Sequence, residues 1–278
     1  MPTTITPRTG AIHYDTFGNN GHPALLLIQG LAAHMLGWRE EFCVRLAEAG
    51  FYVIRFDNRD VGLSEKFPDG GYALSDMADD GASLLDALGI DQAHIVGQSM
   101  GGMIAQRLAL QHGERVTSLT LIYTAPNADH LGGADVLDED LLARPAQNRE
   151  EAIRLYVQTQ RASASPAFPQ DLEWLRQLGG LMYDRDPNAD QDGIKRQMHA
   201  MYTDPDRTAL LADITVPTTI IHGDADRVVD VSGAHALAAA IPHARLTVHP
   251  GMGHELPRTL WTPIITAVRD NADNTVRG

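Results

Sequence analysis

His94-Ile95-Val96-Gly97-Gln98-Ser99-Met100-Gly101-Gly102 is the stretch whose reading decides the fold. His94 to Val96 reads as a short buried strand, and a helical pattern runs from Met100 to His112. Between them lies G-x-S-x-G, which has a mechanical meaning only at a strand-to-helix turn. There the serine is held on a tight, strained bend with its hydroxyl out at the C-terminal end of a sheet. A side chain two residues to either side would collide with neighbouring backbone, which accounts for Gly97 and Gly101. Gly102 adds room for close helix–strand packing. The first turn of the helix offers free N–H groups and the positive end of its dipole to a developing anion. Ser99 is therefore the candidate nucleophile.

Working outward, short apolar runs recur, each followed by a helical pattern. Ala24 to Ile28 reads as a strand, Trp38 to Ala49 as a helix, Tyr52 to Phe56 as a strand and Leu74 to Leu88 as a helix. Val116 to Tyr123 is a further strand, and Ile12 to Phe17 ahead of the series reads as an antiparallel edge strand. Alternation of buried strands with helices predicts an α/β fold with a mostly parallel central sheet flanked by helices. From Pro126 to about Arg207 the rhythm breaks into helical stretches without strands, such as Glu151 to Gln160 and Leu172 to Leu178. After Pro217 it returns, with strand Thr218 to His222, helix Val231 to Ile241, strand Leu246 to His249 and a last helix from about Glu255. The expectation is a core of residues 1–125 and 208–278, with a helical cap, 126–207, inserted late in the sheet. The bland alternative is a helical subdomain with no part in substrate binding.

A neutral serine hydroxyl is a weak nucleophile and needs a base, which in turn needs a partner to fix its tautomer. Behind a serine turn of this kind the acid and then the histidine follow in chain order. The strand Thr218 to His222 runs into Gly223-Asp224-Ala225-Asp226-Arg227-Val228-Val229-Asp230, where three aspartates compete. Asp224 is placed to shape the turn and Asp230 to cap the next helix; Asp226 lies mid-loop. Of the twelve histidines, His254 follows Pro250-Gly251-Met252-Gly253 on the loop after Leu246 to His249, where glycines let the loop bring an imidazole back over the sheet edge. His249 and His222 read as structural. Two backbone N–H donors are expected to hold the carbonyl oxygen: that of Met100, and that of Leu31 in the loop Gln29-Gly30-Leu31-Ala32-Ala33-His34. His34, Trp38, Trp174, Met182 and Tyr183 are candidate substrate-lining residues. The alternative for each is plain packing.

The formal net charge of −14 argues against nucleic acid or an anionic membrane as partner, since both call for basic patches. The single cysteine, Cys43, reads as a buried apolar residue, and no Cys/His cluster has metal-binding spacing. Met1-Pro2-Thr3-Thr4-Ile5 lacks the basic-then-apolar pattern of a signal peptide, and no apolar run reaches the ~18 residues of a membrane span. A cytoplasmic location is the default expectation. The sequence leaves oligomeric state open, a homodimer included.

Gln29-Gly30-Leu31, Gly97-Gln98-Ser99-Met100-Gly101-Gly102, His222-Gly223-Asp224-Ala225-Asp226 and Gly251-Met252-Gly253-His254 together resemble the α/β-hydrolase superfamily over almost the whole chain. Asp57-Asn58-Arg59-Asp60-Val61-Gly62-Leu63-Ser64 is similar to the D-x-R-G-x-G-x-S turn of many members, with Asp60 in place of the usual glycine. Gln29 stands where many members carry histidine. With Gly37-Trp38 and Pro250 to His254, the sequence most resembles the aclacinomycin methylesterase-like branch, whose members cleave a methyl ester on an anthracycline polyketide. The resemblance implies Asp226 as the acid, by G-x-x-D spacing. It implies hydrolysis of a small-molecule carboxylic ester; the bulk of cap residues such as Trp174, Met182 and Tyr183 suggests an apolar substrate of small to medium size, and the serine mechanism needs no metal or organic cofactor. A C–C bond hydrolase or a cofactor-free perhydrolase would keep the same three residues, and a ligand receptor on this scaffold is the reading of another class. Relatives with an aspartate nucleophile are disfavoured by Ser99.

Overall fold

A computed structural model describes residues 3–6, 10–132, 142–187, 189 and 191–274. Met1 and Pro2 of the opening segment, and 133–141, 188 and 190 of the range expected as a cap, lie outside these. The strands are β1 (Thr3–Thr6), β2 (Gly10–Phe17), β3 (Ala24–Ile28), β4 (Tyr52–Phe56), β5 (Ala93–Gln98), β6 (Val116–Ile122), β7 (Thr218–Gly223) and β8 (Arg245–His249). The helices are α1 (Glu40–Glu48), α2 (Leu74–Ala87), α3 (Met100–Gln111), α4 (Arg149–Ala162), α5 (Leu172–Arg185), α6 (Gln191–Tyr202), α7 (Val231–Ala240) and α8 (Trp261–Asp273). The sheet order is β1-β2-β4-β3-β5-β6-β7-β8. The β1–β2 and β2–β4 pairings are antiparallel, and from β4 through β8 the strands are parallel.

The sheet is covered on both faces, and β3 shows why its sequence is uniformly apolar. Ala24, Leu26 and Ile28 enter one core with Met77 of α2 and Ile104 of α3. Leu25 and Leu27 enter a second core with Phe42 of α1 and Ile264 of α8. Side chains alternate faces along a strand, so a strand buried on both sides shows no polar alternation. Cys43 lies in the second core, and burial pushes its thiol up to about 12, away from any reactive thiolate.

The connection β3-α1-β4 runs to one side of β3, while β5 pairs along its other side. The loops leaving β3 and β5 therefore diverge, which opens a crevice at the C-terminal ends of these strands. Ile28 pairs with Gly97 in register, so the residues just beyond each strand end, Gly30 and Ser99, face each other across it.

Two expectations are corrected. β2 is not an edge strand, because β1 pairs along its outer side. The last helix begins at Trp261 rather than near Glu255, with a single turn of 3-10 helix over Arg258–Leu260 ahead of it. Pro257 explains this, since its ring disfavours helical geometry in the residue before it. Among the described residues the inserted segment also carries α6, which the sequence reading does not single out.

Candidate active site

Ser99 sits between β5 and α3 with φ +55° and ψ −128°, a conformation outside the ordinary regions for a side-chain-bearing residue. Its surroundings hold it there. The Ser99 amide donates to the Ile122 carbonyl at 3.0 Å, and its carbonyl accepts from the Thr124 hydroxyl at 2.7 Å and the Gly102 amide at 2.9 Å. A Cβ on Gly97 would overlap the Gly101 carbonyl, and one on Gly101 would overlap the Ile28 carbonyl. Both are rigid backbone groups, so the turn admits only glycine at these places.

The Ser99 Oγ lies 2.8 Å from His254 Nε2, and His254 Nδ1 lies 2.7 Å from Asp226 Oδ2. A carboxylate can only accept, so Nδ1 carries the proton, and in the neutral imidazole Nε2 is left to accept from the serine hydroxyl. Asp226 is buried; its Oδ1 accepts from the amides of Val228 (2.8 Å) and Val229 (3.0 Å), which aims Oδ2 at the imidazole. The competing aspartates do other work. Asp224 accepts from the Gly251 amide at 2.6 Å and shapes the histidine loop, while Asp230 caps α7 by accepting from the Ser232 amide. His222 is buried and donates from Nε2 to the Val229 carbonyl at 3.0 Å, which fixes the Asp226 loop. The Tyr123 ring packs against the His254 ring at 4.6 Å between centroids.

The inserted segment grips the histidine loop. The His254 amide donates to the Ser163 carbonyl at 3.0 Å, the Gly253 amide to the Ser165 hydroxyl at 2.8 Å, and the Ser165 amide to Glu255 Oε1 at 2.7 Å. These contacts were not legible in the sequence, because no local pattern marks a serine that meets a loop ninety residues away in the chain.

A Cβ on Gly30 would lie 3.0 Å from the Ser99 Cβ, so the loop after β3 passes directly beside the serine. Among the hydrogen bonds of the described residues none uses the amide of Leu31 or of Met100. The Gly30 amide, by contrast, donates to Gln29 Oε1 at 3.0 Å. Gln29 also bonds the Gln98 side chain, which bonds the Tyr123 hydroxyl, in a buried chain of three polar groups. Gln29 thus serves as a brace behind the loop.

A cavity of about 360 Å³ opens over Ser99 and His254. Trp38 and Trp174 line it, as do Phe42, Tyr123, Leu175 and Trp261, together with Arg39, Gln158, Gln160, Gln170 and Glu255. The Arg39 guanidinium carbon sits 3.6 Å over the Trp174 ring, and Arg39 Nη1 donates to Asp171 Oδ2 at 3.1 Å. Three residues expected to line the site do not. His34 is buried and accepts from Arg185 Nη1 at 3.2 Å; burial brings its pKa down to about 4, so it is neutral. Met182 and Tyr183 lie on α5 beyond the buried stripe of Leu175, Leu178 and Gly179, and this helix turns its Trp174–Leu175 end toward the cavity instead. Among the described residues no group of three or more His, Cys, Asp or Glu side chains is placed to hold a metal, and no helix is long and apolar enough to cross a membrane.

Residues 23–257 match the family described as alpha/beta hydrolase fold. The chain belongs to that family. It is 31% identical to a rhodomycin D methylesterase of Streptomyces sp. (strain C5), over 96% of this chain and 97% of that protein. It is 30% identical to a rhodomycin D methylesterase of Streptomyces peucetius with the same coverage. Among solved structures it resembles an enol-lactonase from Burkholderia xenovorans LB400, with a TM-score of 0.76, 24% identity and full coverage of both chains; at that identity the likeness speaks for the fold alone. The resemblance to the methylesterase branch of this hydrolase family, first drawn from short motifs, therefore extends along nearly the whole chain.

Proposed function

We propose that this α/β hydrolase is a carboxylic ester hydrolase that works through an acyl-enzyme on Ser99. The observation that carries the reading is the unbroken line from Asp226 Oδ2 through His254 to Ser99 Oγ, with contacts of 2.7 and 2.8 Å, at the floor of a cavity. His254 takes the serine proton as Oγ attacks the ester carbonyl, and Asp226 stabilises the imidazolium that forms. The carbonyl oxygen, now an anion, is held by the Leu31 and Met100 amides, the second at the positive end of the α3 dipole. The alcohol leaves with the proton from His254. A water activated by the same imidazole then releases the acid.

Residues 126–207 act as a cap over a core of 1–125 and 208–278, the cap supplying Trp174 and Leu175 to the cavity wall. A cavity of about 360 Å³ suits a small to medium substrate with an apolar body. The two rhodomycin D methylesterase relatives favour a methyl ester as the scissile group.

The test compares wild type with Ser99→Ala on 4-nitrophenyl acetate, butyrate and octanoate, with a fluorophosphonate probe alongside. Loss of about 10⁴-fold or more in turnover, together with loss of labelling, is the expected result. Equal turnover by the two proteins would overturn the assignment.

A further inference from the structure

Helix α6 touches the main body through one face, at Gly193, Arg196, Gln197, Ala200 and Met201, spaced to lie together on a helix. A Cβ on Gly193 would lie 2.9 Å from the Asp60 Cβ and carbonyl oxygen, so the helix backbone presses on the 57–64 turn. Arg196 donates two bonds of 2.8 Å to the Asp60 carboxylate. Gln197 is fully buried and spans two loops: its Nε2 donates to the Arg59 carbonyl at 2.7 Å, and its Oε1 accepts from the Ala32 amide at 2.9 Å.

The second of these bonds bears on the chemistry. Ala32 has φ +57°, a left-handed conformation that alanine adopts only against its steric preference. It is also the residue after Leu31, whose amide is assigned to the oxyanion. The preceding part of the loop is held by Asn58 Nδ2, which donates to the Gln29 carbonyl at 3.0 Å, and by the Gln29 side chain on the Gly30 amide. The turn's own closure, Ala33 amide to Gly30 carbonyl, is long at 3.4 Å. The bond from Gln197 falls on the Ala32 amide, in the peptide unit that joins Leu31 to this left-handed residue.

We infer that Gln197, on a helix of the inserted segment, is a positioning residue for the oxyanion hole, holding the Leu31 amide in line through the Ala32 backbone. The inference rests on the ester-hydrolase reading above. Under it, the segment that roofs the cavity also completes the transition-state site, so the two cannot be varied independently.

Gln197→Met keeps the volume and removes both bonds. With 4-nitrophenyl acetate, kcat is expected to fall about tenfold or more, with KM changed by less than about twofold, because only the charged transition state uses the Leu31 amide fully. Fluorophosphonate labelling of Ser99 should slow in step, since phosphonylation places charge on the same donors. In an Ala32→Gly background, where a left-handed φ carries no steric cost, the same substitution should lower kcat less than about threefold. A residue that merely holds the fold would show no such rescue. Gln197→Glu covers the case in which Gln197→Met does not fold. A carboxyl there keeps an acceptor for the Ala32 amide in either protonation state, so kcat should remain above roughly a third of wild type. Wild-type kcat in Gln197→Met, or an equal loss in both backgrounds, or a Gln197→Glu enzyme that folds but loses kcat about tenfold, would overturn the inference. A wild type that neither turns over ester nor labels at Ser99 would instead remove the reading beneath it.

Discussion

Replacing Asp60 by glycine sets two effects of known sign against each other. Asp60 has φ +67°, so glycine at this place relieves left-handed strain of about 1 kcal/mol. Against this, the carboxylate is buried and accepts from Arg196 twice, from the Tyr72 hydroxyl at 2.8 Å and from the Phe67 amide at 2.7 Å. Burial alone would raise its pKa, yet the bonds from Arg196, Phe67 and Tyr72 together hold it below the usual carboxylate range. Stripping one partner from a buried ion pair costs about 3–5 kcal/mol. The Arg196 side chain is 15% exposed, so water softens that to about 2 kcal/mol. The orphaned Tyr72 and Phe67 donors add about 1 kcal/mol each. The balance is a loss of about 3 kcal/mol in Asp60→Gly. Urea unfolding followed by tryptophan fluorescence and far-ultraviolet circular dichroism measures it, as a lower midpoint at unchanged slope. A double-mutant cycle with Arg196→Met should give a coupling of about 1–2 kcal/mol. Asp60→Gly equal to or more stable than wild type, or a coupling under about 0.5 kcal/mol, would refute the reasoning and make backbone strain the larger quantity.

Gly101→Ala places a methyl group into the carbonyls that end β3, and neither strand nor helix can retreat without opening the sheet. It is expected to abolish folding or to lower Tm by about 10 °C or more, read by calorimetry; an unchanged Tm would show that α3 is free to move off the sheet. Burial brings His34 and His94 each to about 4, from an unfolded value of 6.5. Between those values the unfolded chain binds protons that the folded chain refuses. Stability is therefore full above about pH 6.5 and falls as the pH drops toward 4, by up to about 3 kcal/mol for each histidine. Urea midpoints at pH 7.5, 6 and 5 check the slope, and His94→Gln should flatten it; an identical acid limb in that variant would exclude His94 as a contributor.

The parts legible in the sequence are those written in local spacing. β3 and β4 occur at the residues read for them, because strands buried on both faces are mostly apolar runs, β4 broken only by Arg55, whose guanidinium is satisfied by the Trp38 carbonyl and Asp15. The serine turn is legible because steric exclusion leaves glycine on both sides of one residue. The acid was harder, since three aspartates in seven residues all suit a loop, and only the hydrogen-bond geometry separates Asp226 from the turn-shaping Asp224 and the capping Asp230. The inserted segment was the least legible. α6 makes its polar contacts through a glycine, an arginine and a glutamine, residues that mark no function locally, and their partners lie well over a hundred residues away in the chain. His34, Met182 and Tyr183 failed as cavity residues for a related reason: composition marks a side chain as suited to packing but not the direction from which its partner comes.

Beyond its place in the site, the position of β8 has a bearing on how the protein ages and is damaged. β8 ends the sheet with a neighbour on one side only, and its residues are partly exposed, whereas β5, which delivers Ser99, is buried between two strands. The histidine loop hangs from that margin. Fluctuations that peel an outer strand need far less energy than those that breach the interior. Such an excursion would take the imidazole away while the serine turn stays assembled, leaving a molecule that is almost wholly native by spectroscopy and inert toward ester. Warmth, mild denaturant or proteolytic nicking near the margin should therefore silence the protein before its bulk structure yields, and refolding of that one strand should be enough to restore it.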